Sequence, residues 1–364
     1  MNGRAAEEVV RMVEPDGVRE ASPCEPAEAV ARSALEFIDS ARIACGLYAE
    51  RPQPRRPDGS IVGRDRAKLS NAALAVAGRY IAGALSLPEL AAEREAIISF
   101  IHEKQSPSTG SYDELSRDTP TAGRLNLPLF GWAVRALAML GSRPQLPVRF
   151  LRRWDDPEEL TWWLGLLDWH RSARSESLRV MNVGVPRLAA YRRGRRELEP
   201  SVYALMGWLQ AHQDPVSGFW GPAQGGDLVN GLGATFHVLV VYEAAGRPVP
   251  LADRIAHTVI DLWRDETGWG DLWSQMAGIS LLQKTALGGG SLYEAKAREL
   301  ARRVASLVAP ATPDARTAPA LLADVVTRLE TLRAAAAIAA DDERLRAARS
   351  WQSAWDPKLW VCDW

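Results

Sequence analysis

Residues 208–221, WLQAHQDPVSGFWG, decide the fold because the same pattern occurs once more, in residues 100–112, FIHEKQSPSTGSY. Each stretch begins with an aromatic residue, then has Gln, Gly and a second aromatic residue at the same spacing. Weaker copies begin at Phe37 and Leu262, and a degenerate one at Phe150. The distance between copies predicts a repeating unit of roughly fifty to sixty residues, about the length of a helical hairpin.

The segments between these copies are rich in Ala and Leu, and their apolar residues recur every three or four positions. This is the period of an amphipathic α-helix, and it predicts helices over residues 68–87, 125–141, 228–245 and 321–340. No stretch shows the apolar and polar alternation of a half-buried strand. We therefore predict an all-α fold.

Two kinds of break alternate along the chain. Short breaks such as residues 141–144 and 246–248 place Gly before Pro and predict tight turns between helices. Long breaks are rich in Gly, Trp, Asp and Thr. Because a two-helix unit must stack on its neighbours to bury its apolar face, the two kinds of loop should lie at opposite rims. We predict a single α/α toroid of about six hairpins over residues 28–364, after an N-terminal extension of residues 1–27, with an open superhelix as the alternative.

The composition narrows the choice of compartment and partner. The chain has 364 residues, with 44 basic and 45 acidic side chains, so its charge does not suggest a nucleic-acid partner. Its three Cys have no metal-ligand or disulfide spacing, which fits a reducing compartment. Neither a secretory signal nor an integral membrane segment is visible. These features predict a cytoplasmic protein without a cofactor or a metal; the oligomeric state is left open.

The Gln followed by Gly-x-Trp resembles the QW repeat of the terpene cyclase and protein prenyltransferase superfamily, which includes squalene-hopene cyclase. The resemblance implies that Gln213 caps a neighbouring helix end and that Trp220 packs on it, with Gln105 and Tyr112 as their counterparts. It also implies a small hydrophobic isoprenoid substrate and acid-initiated carbocation chemistry in a tryptophan-lined cavity. The acidic DxDD motif of the family's proton-donating members does not occur in this sequence.

The candidate proton donors are acids at the long-loop rim, each of which precedes an apolar helix: Asp118, Asp168, Asp227 and Asp271. Each of them fits an ordinary helix N-cap. An acid in an apolar, tryptophan-lined setting would instead have a raised pKa and could donate a proton. We take these four residues as the candidate catalytic acids.

The candidate substrate-binding residues are aromatic or polar side chains close to those acids: Trp162, Trp163, Trp169, Trp269, Trp273, His170, Asn126 and Asn230. An indole face stabilises a carbocation or stacks on a sugar, and core packing is the alternative role. The Asn side chains could instead satisfy helix ends. His237, within an apolar helical segment, is predicted to be a packed histidine.

The stretch Asp155-Asp156-Pro157-Glu158-Glu159 resembles the magnesium-diphosphate motif of ionising terpene synthases. It is also a typical helix start, with an N-cap, Pro in the first turn and acids near the positive end of the helix dipole. We interpret it as a helix start. The C-terminal SAWDPKLWVCDW is too aromatic for a frayed tail, so Trp355, Trp360 and Trp364 are expected to dock on the ring.

Three functions remain open from the sequence. The first is a terpene cyclase-like enzyme with an isoprenoid substrate. The second is a carbohydrate-active hydrolase or lyase, which needs two carboxylates across a groove. The third is a non-catalytic toroid that binds a ligand or a partner.

Overall fold

The computed structural model describes residues 27–44, 47–48, 68–85, 91–113, 126–221, 227–287, 293–308 and 322–363. Within them the secondary structure is almost entirely helical. A short antiparallel pair, β1 (Arg42–Ala44) and β2 (Leu47–Tyr48), lies between the first two helices. Short 3-10 turns flank several of the helices.

The helices alternate between an outer and an inner layer. The outer helices are α1 (Ala27–Ser40), α3 (Ala91–Glu103), α5 (Pro157–Gly165), α7 (Glu199–Ala211), α9 (Ala252–Asp261) and α11 (Glu294–Val308). The inner helices are α2 (Leu69–Ile81), α4 (Leu127–Met139), α6 (Ala173–Arg192), α8 (Leu228–Ala245), α10 (Leu272–Thr285) and α12 (Leu322–Ile338).

The inner helices form a closed ring. Each of α2, α4, α6, α8 and α10 contacts the next inner helix along the chain, and α12 returns to contact α2. The first and last units of an open superhelix would not touch. The fold is therefore an α/α toroid of six helical hairpins, as the alternating loops predict.

The inner helices owe their place to composition. Large parts of α2, α4 and α8 are buried all round, and they carry Ala, Gly, Val and Leu rather than a single apolar stripe. α8 is the one described helix that is long and apolar enough to cross a membrane, and 72% of this 18-residue stretch is buried in the protein. Packing within the ring accounts for its apolar character.

The repeated Gln ties one outer helix to the next outer element. Gln213 Nε2 donates to the carbonyls of Gly218 and Pro250, both at 2.8 Å, the second of them just before α9. Gln105 Nε2 donates in the same way to Gly110 and Leu146, and its Oε1 accepts from the Leu146 amide. Both side chains thus fasten a long loop to the neighbouring hairpin.

The aromatic residue of the repeat packs beneath the same loop. Trp220 is fully buried, and its Nε1 donates to the Leu209 carbonyl at 2.7 Å. Trp269 repeats this contact with Val259, also at 2.7 Å. A buried indole needs such an acceptor for its single donor. Tyr112, the counterpart in the second hairpin, is buried against Phe130.

Glycine is required between the Gln and the aromatic residue. Gly110 and Gly218 have φ values of 74° and 75°, in the left-handed region that favours Gly. A Cβ on Gly110 would also lie 2.1 Å from the Pro147 carbonyl oxygen. The motif therefore encodes a turn that only Gly can make at this separation.

The third hairpin departs from the predicted repeat. Phe150 lies in a 3-10 turn, Arg149–Trp154, that precedes the outer helix α5. The other copies begin at or near the C-terminal end of an outer helix, so the assignment of a copy to Phe150 was wrong. Here the aromatic residue lies before the outer helix rather than at its C-terminal end, so the spacing of the stronger copies does not apply.

The C-terminal segment, residues 351–363, closes one end of the ring. Trp360 is fully buried, and the Val148 amide donates to the Asp363 carbonyl at 2.7 Å. The Glu330 carboxylate on α12 accepts from the amide of Ala354. The predicted docking of this segment is confirmed for Trp355 and Trp360, and Trp364 lies outside the described residues.

Candidate functional site: the central cavities

In the described part of the chain, a cavity lies at each of the two opposite ends of the ring. The loop-side cavity, about 190 Å³, lies near the N-terminal ends of the inner helices: Arg174, Trp273 and Ala323 are each the second residue of their helix. Its lining is Leu74, Trp132, Arg174, Ser175, Leu178, His237, Trp273, Met276, Ala323, Val326, Thr327 and Trp355.

The turn-side cavity, about 230 Å³, lies near the C-terminal ends of α8 and α10, as Glu243 and Lys284 show. Its lining is Phe236, Leu239, Val240, Glu243, Ser280, Lys284, Arg333, Ser353, Trp355, Asp356, Pro357 and Lys358. Trp355 belongs to both linings, so the C-terminal segment supplies the wall between them.

Three tryptophans from three separate elements form the walls of the loop-side cavity. Trp132 comes from α4, Trp273 from α10 and Trp355 from the C-terminal segment. The rings of Trp132 and Trp355 meet edge to face at 5.5 Å. The His237 ring lies 5.4 Å from Trp273 and 6.0 Å from Trp355. The fold thus gathers aromatic faces that are far apart in the sequence.

Arg174 lies at the mouth of the loop-side cavity. Its guanidinium stacks on Trp273 at 3.6 Å from the ring centroid and lies 3.5 Å from the Asp271 carboxylate. Gly233 on α8 leaves room for this stack, because a Cβ there would lie 2.7 Å from the Trp273 ring and 3.0 Å from Arg174 Cγ. The cation is therefore held flat against an indole and is partly neutralised by a carboxylate.

His237 is the other titratable side chain of this lining. It is buried, and its Nδ1 lies 3.0 Å from the Ser177 hydroxyl oxygen. Burial lowers the pKa of His237 to about 3, and the nearby charges of Arg174 and Arg135 act in the same direction. The imidazole is therefore neutral at physiological pH.

A buried cation supports the wall between the cavities. Arg135 is 1% exposed, and its guanidinium lies 4.0 Å from the Trp132 ring and 4.3 Å from the Trp355 ring. Its Nη1 donates to the Ala354 carbonyl at 2.9 Å. Burial lowers the pKa of Arg135 to about 9, against the opposing effect of Glu330. This arginine fixes both tryptophans and the C-terminal segment at once.

The predicted acids begin helices or turns at the long-loop rim. Asp227 is the N-cap of α8 and accepts from the amides of Val229 and Asn230. Asp271 is the N-cap of α10 and accepts from the Ser274 amide at 2.7 Å. Asp168 is exposed and accepts from the amides of His170 and Arg171 in the turn before α6. Asp118 lies outside the described residues.

The pKa of Asp271 shifts in the direction opposite to the expected one. Partial burial raises its pKa, but hydrogen bonds from Ser274 and the charge of Arg174 more than offset this, so the pKa is lowered overall. The carboxyl is therefore ionised at neutral pH. The expected raised pKa was wrong here because a helix N-terminus and an arginine both stabilise the charged form.

Of the predicted tryptophans, Trp273 alone lines the loop-side cavity in the described part of the chain. Trp162 is 56% exposed on the outer helix α5. Trp163 packs on Trp154 at 4.9 Å, and Trp169 packs on Trp208 at 5.3 Å. The buried Trp269 holds its loop to α9, as described above. Trp163, Trp169 and Trp269 therefore stabilise the outer layer and the loops.

The predicted polar residues lie at helix starts. Asn126 is the N-cap of α4 and accepts from the Leu129 amide at 3.1 Å. Asn230 Oδ1 accepts from the Arg174 amide at 2.8 Å, and its Nδ2 donates to the Arg171 carbonyl. Asn230 thereby ties the start of α8 to the start of α6 and positions Arg174. His170 is exposed in the turn before α6.

The sequence reasoning missed Trp132, Arg174 and Trp355 as cavity residues, and it assigned His237 to packing alone. A usable signal was the position of Arg174, in the first turn of an inner helix. Trp355 carried no such signal, because only the path of the C-terminal segment brings it to the ring axis.

The acidic stretch before α5 begins a helix, as predicted. Asp156 is the N-cap and accepts from the amides of Glu158 and Glu159. Asp155 pairs with the buried Arg187 at 2.8 Å. Among the described residues, no group of three or more His, Cys, Asp or Glu is placed to hold a metal ion.

Comparison with known proteins adds little to this picture. No protein-family profile and no curated protein matches the chain. A solved structure with a similar backbone is a family 76 glycoside hydrolase from a bovine Bacteroides thetaiotaomicron strain, with a TM-score of 0.47 and 12% identity. The alignment covers 85% of this chain and 77% of that chain. Such a distant likeness does not bear on activity, and the resemblance to terpene cyclases has no support from these comparisons.

Proposed function

We propose that the protein binds a small, largely apolar molecule in the loop-side cavity. The observation that carries this proposal is the convergence of Trp132, Trp273 and Trp355 on one cavity at the ring axis. Leu74, Met276 and other aliphatic side chains fill the remaining wall. Ligand sites in proteins have this character, with apolar walls and a few placed polar groups.

The volume sets the size of the ligand. A dry protein cavity of roughly 150 Å³ holds benzene. The loop-side cavity, at about 190 Å³, is somewhat larger and opens at the long-loop rim. It therefore suits a ligand, or the enclosed part of one, of about ten non-hydrogen atoms. A short isoprenoid fits this size, whereas a long polyprenyl chain would extend well outside it.

The polarity of the lining favours an isoprenoid over a sugar. A sugar carries hydroxyl groups around its whole edge, and each one buried without a partner has an energetic cost. The polar side chains of the lining are few, namely Arg174, Ser175, His237 and Thr327. An apolar ligand leaves fewer unsatisfied groups in such a site and also benefits from the indole faces.

Acid-initiated carbocation chemistry stays a prediction. The described lining of the loop-side cavity has no carboxylate, and the adjacent Asp271 has a lowered pKa. An ionised carboxylate is a poor proton donor. The geometry therefore supports ligand binding better than proton-initiated cyclisation, and a pair of carboxylates across this cavity, as glycosidic hydrolysis needs, is not among its described lining either.

Calorimetric titration with geraniol, a ten-carbon isoprenoid alcohol, and with cellobiose tests the proposal. We expect saturable binding of geraniol at one site and none of cellobiose. Ala323→Phe at the cavity mouth should weaken geraniol binding roughly tenfold or more by filling the entrance. The matched control is Ala92→Phe, an exposed position near the start of the outer helix α3.

Two results would overturn the proposal. Binding of cellobiose in place of geraniol would move the function to carbohydrate recognition. Geraniol binding that is equally strong in the Ala323→Phe and Ala92→Phe variants would place the ligand outside the cavity.

A further inference from the structure

The polar groups of the loop-side cavity select the end group of its ligand, an inference that rests on the proposed function. His237 and Arg174 both reach the cavity among aromatic and aliphatic side chains. The two ring nitrogens of a neutral histidine differ, because one carries a proton and donates a hydrogen bond while the other accepts one. Which one faces the ligand therefore decides what the ligand must offer.

The contacts of His237 assign its tautomer. Its Nδ1 lies 3.0 Å from the Ser177 oxygen, and that hydroxyl lies 3.0 Å from the Arg174 carbonyl. The backbone of Arg174 also favours the protonated form of the imidazole, against the larger effect of burial. A carbonyl only accepts, so the serine proton goes to it, and the serine oxygen accepts the Nδ1 proton. This leaves Nε2 without a proton.

Nε2 is the nitrogen that remains for a ligand. Among the described residues, no group forms a hydrogen bond with Nε2. Nε2 is also not one of the unpartnered side-chain atoms that are fully sealed from solvent. His237 lines the cavity, whereas Ser177, the partner of its Nδ1, does not, so we infer that Nε2 faces the cavity and presents a lone pair there. A hydrogen-bond acceptor in an apolar wall favours a ligand that brings a donor.

Arg174 supplies the complementary group. Its guanidinium carries five N–H donors and no acceptor. The Asp271 carboxylate, 3.5 Å away, offsets its charge. A neutral acceptor on the ligand therefore suffices for this side chain, and the site does not require an anion.

We propose that the loop-side cavity recognises an apolar alcohol through its hydroxyl group, which donates to His237 Nε2 and accepts from Arg174. A hydroxyl is one of the few small groups that can donate and accept at the same time. The hydrocarbon part of the ligand then lies among Trp132, Trp273 and Trp355.

The same arrangement discriminates against related end groups. A carboxylate brings only acceptors, so it faces the bare lone pair of His237, which stays unprotonated because burial lowers the pKa of this histidine to about 3. An ether also lacks a donor. A hydrocarbon leaves both His237 and Arg174 without a ligand partner.

Calorimetry with one carbon skeleton and four end groups tests the inference. The probes are geraniol, geranyl methyl ether, geranic acid and the hydrocarbon myrcene. The wild-type protein should bind geraniol about three- to tenfold more tightly than each of the others, the range of one neutral hydrogen bond.

Two variants assign the preference to His237. His237→Phe keeps an aromatic ring without an acceptor, so it should lose the preference for geraniol while still binding myrcene. His237→Gln, which returns an acceptor oxygen at similar reach, should restore part of it. His170→Phe, an exposed histidine outside the cavity lining, is the control and should behave as the wild type.

The outcomes separate the two proposals. Equal affinities for all four probes in the wild type, or an alcohol preference retained in His237→Phe, would overturn the hydroxyl assignment and leave ligand binding intact. Failure of every probe to bind would overturn both. If the His237 variants do not fold, the four probes on the wild type still decide whether the cavity prefers an alcohol.

A spectroscopic measurement checks the tautomer directly. The chain has five histidines, so long-range ¹H–¹⁵N correlation spectra of the full protein are tractable. We expect His237 to carry its proton on Nδ1 and to shift its Nε2 resonance when geraniol is added. A proton on Nε2 would overturn the inference.

Discussion

The two cavities share three inner helices, α8, α10 and α12, and one wall, yet their linings differ sharply. The loop-side cavity has three indoles, one neutral histidine and one arginine that is stacked on a tryptophan. The turn-side cavity has Glu243 paired with Lys284, and Arg333 paired with Glu330 at 2.7 Å. Trp355 separates the aromatic side from the ionic side.

The difference shows where the ring places its polar groups. On the turn side, charged side chains from the helix C-terminal ends pair with each other at the rim. On the loop side, the charged and capping groups lie at the mouth, which leaves an apolar interior. A toroid of parallel inner helices thus offers two unlike sites at its two ends, and the C-terminal segment keeps them apart. The following changes test this separation, beginning with the largest expected effect.

Removal of the charge that supports the wall should be the most damaging change. Glu330 is 1% exposed, and its carboxylate accepts hydrogen bonds from the Ser353 hydroxyl and the Ala354 amide. It also pairs with Arg333 and favours the charged form of Arg135. Glu330→Gln should lower the free energy of unfolding by about 3–5 kcal/mol, because it leaves the buried Arg135 and the partly buried Arg333 without the opposite charge. Urea denaturation measures this loss.

The control for this change is Glu343→Gln, an exposed glutamate that pairs with Arg346. It should stay within about 0.5 kcal/mol of the wild type. A loss below about 1 kcal/mol for Glu330→Gln would show that the wall does not depend on this charge.

Removal of the shared wall itself should cost somewhat less, since Trp355 is half-buried. Trp355→Ala should lower the free energy of unfolding by about 3 kcal/mol, the lower part of the range for a truncated tryptophan. It should also join the two cavities and weaken the binding of geraniol. Trp162→Ala, on the exposed face of α5, should do neither. Unchanged geraniol affinity would mean that Trp355 is not part of the binding site.

The loop-side cavity should also have its own pH dependence. The pKa of His237 is lowered to about 3 in the folded state by burial, with Arg174 and Arg135 adding to the effect. Histidine in the unfolded chain has a pKa of about 6.5, so the unfolded state takes up this proton first as the pH falls. The contribution of neutral His237 to the free energy of unfolding is therefore fully present above about pH 6.5. It decreases below that pH, by about 2 kcal/mol between pH 7 and pH 5.

The measurement is the difference in unfolding free energy between pH 7 and pH 5 for the wild type and for His237→Phe. The variant should lose about 2 kcal/mol less than the wild type over this interval. The same loss in both proteins would contradict the neutral, buried state of His237. His170→Phe is the control, since His170 is exposed.

A substitution in the turn-side cavity should have the smallest effect on the free energy of unfolding. Lys284→Met breaks the pair with Glu243, both partly exposed, and should change the free energy of unfolding by about 0.5 kcal/mol, less at high salt. Geraniol binding should not change, because Lys284 lies outside the loop-side lining. A loss of geraniol binding in this variant would mean that the two cavities are not independent.

The sequence determined the repeat and most of its local geometry. The resemblance carried by Gln213, Gly218 and Trp220 predicted the loop that fastens one hairpin to the next. The left-handed turn at Gly218 and the bond from Trp220 to Leu209 are made within a dozen residues, whereas the bond from Gln213 to Pro250 joins two hairpins. Four of the inner helices, α2, α4, α8 and α12, followed from their Ala- and Leu-rich composition. The caps at Asp227 and Asp271 followed from their place before apolar helices.

The tertiary structure alone decided which side chains meet at the ring axis. Trp132, Trp273 and Trp355 are far apart in the sequence, and their meeting depends on the closure of the ring and on the path of the C-terminal segment. Hydrogen bonds from the neighbouring Ser274 lower the pKa of Asp271 most, and Arg174 from another helix, which local sequence does not show, lowers it further. The physical reason is common to both: a cap or a turn is made by neighbours in the chain, whereas a cavity is made by the packing of elements whose distance in sequence carries no information about their distance in space.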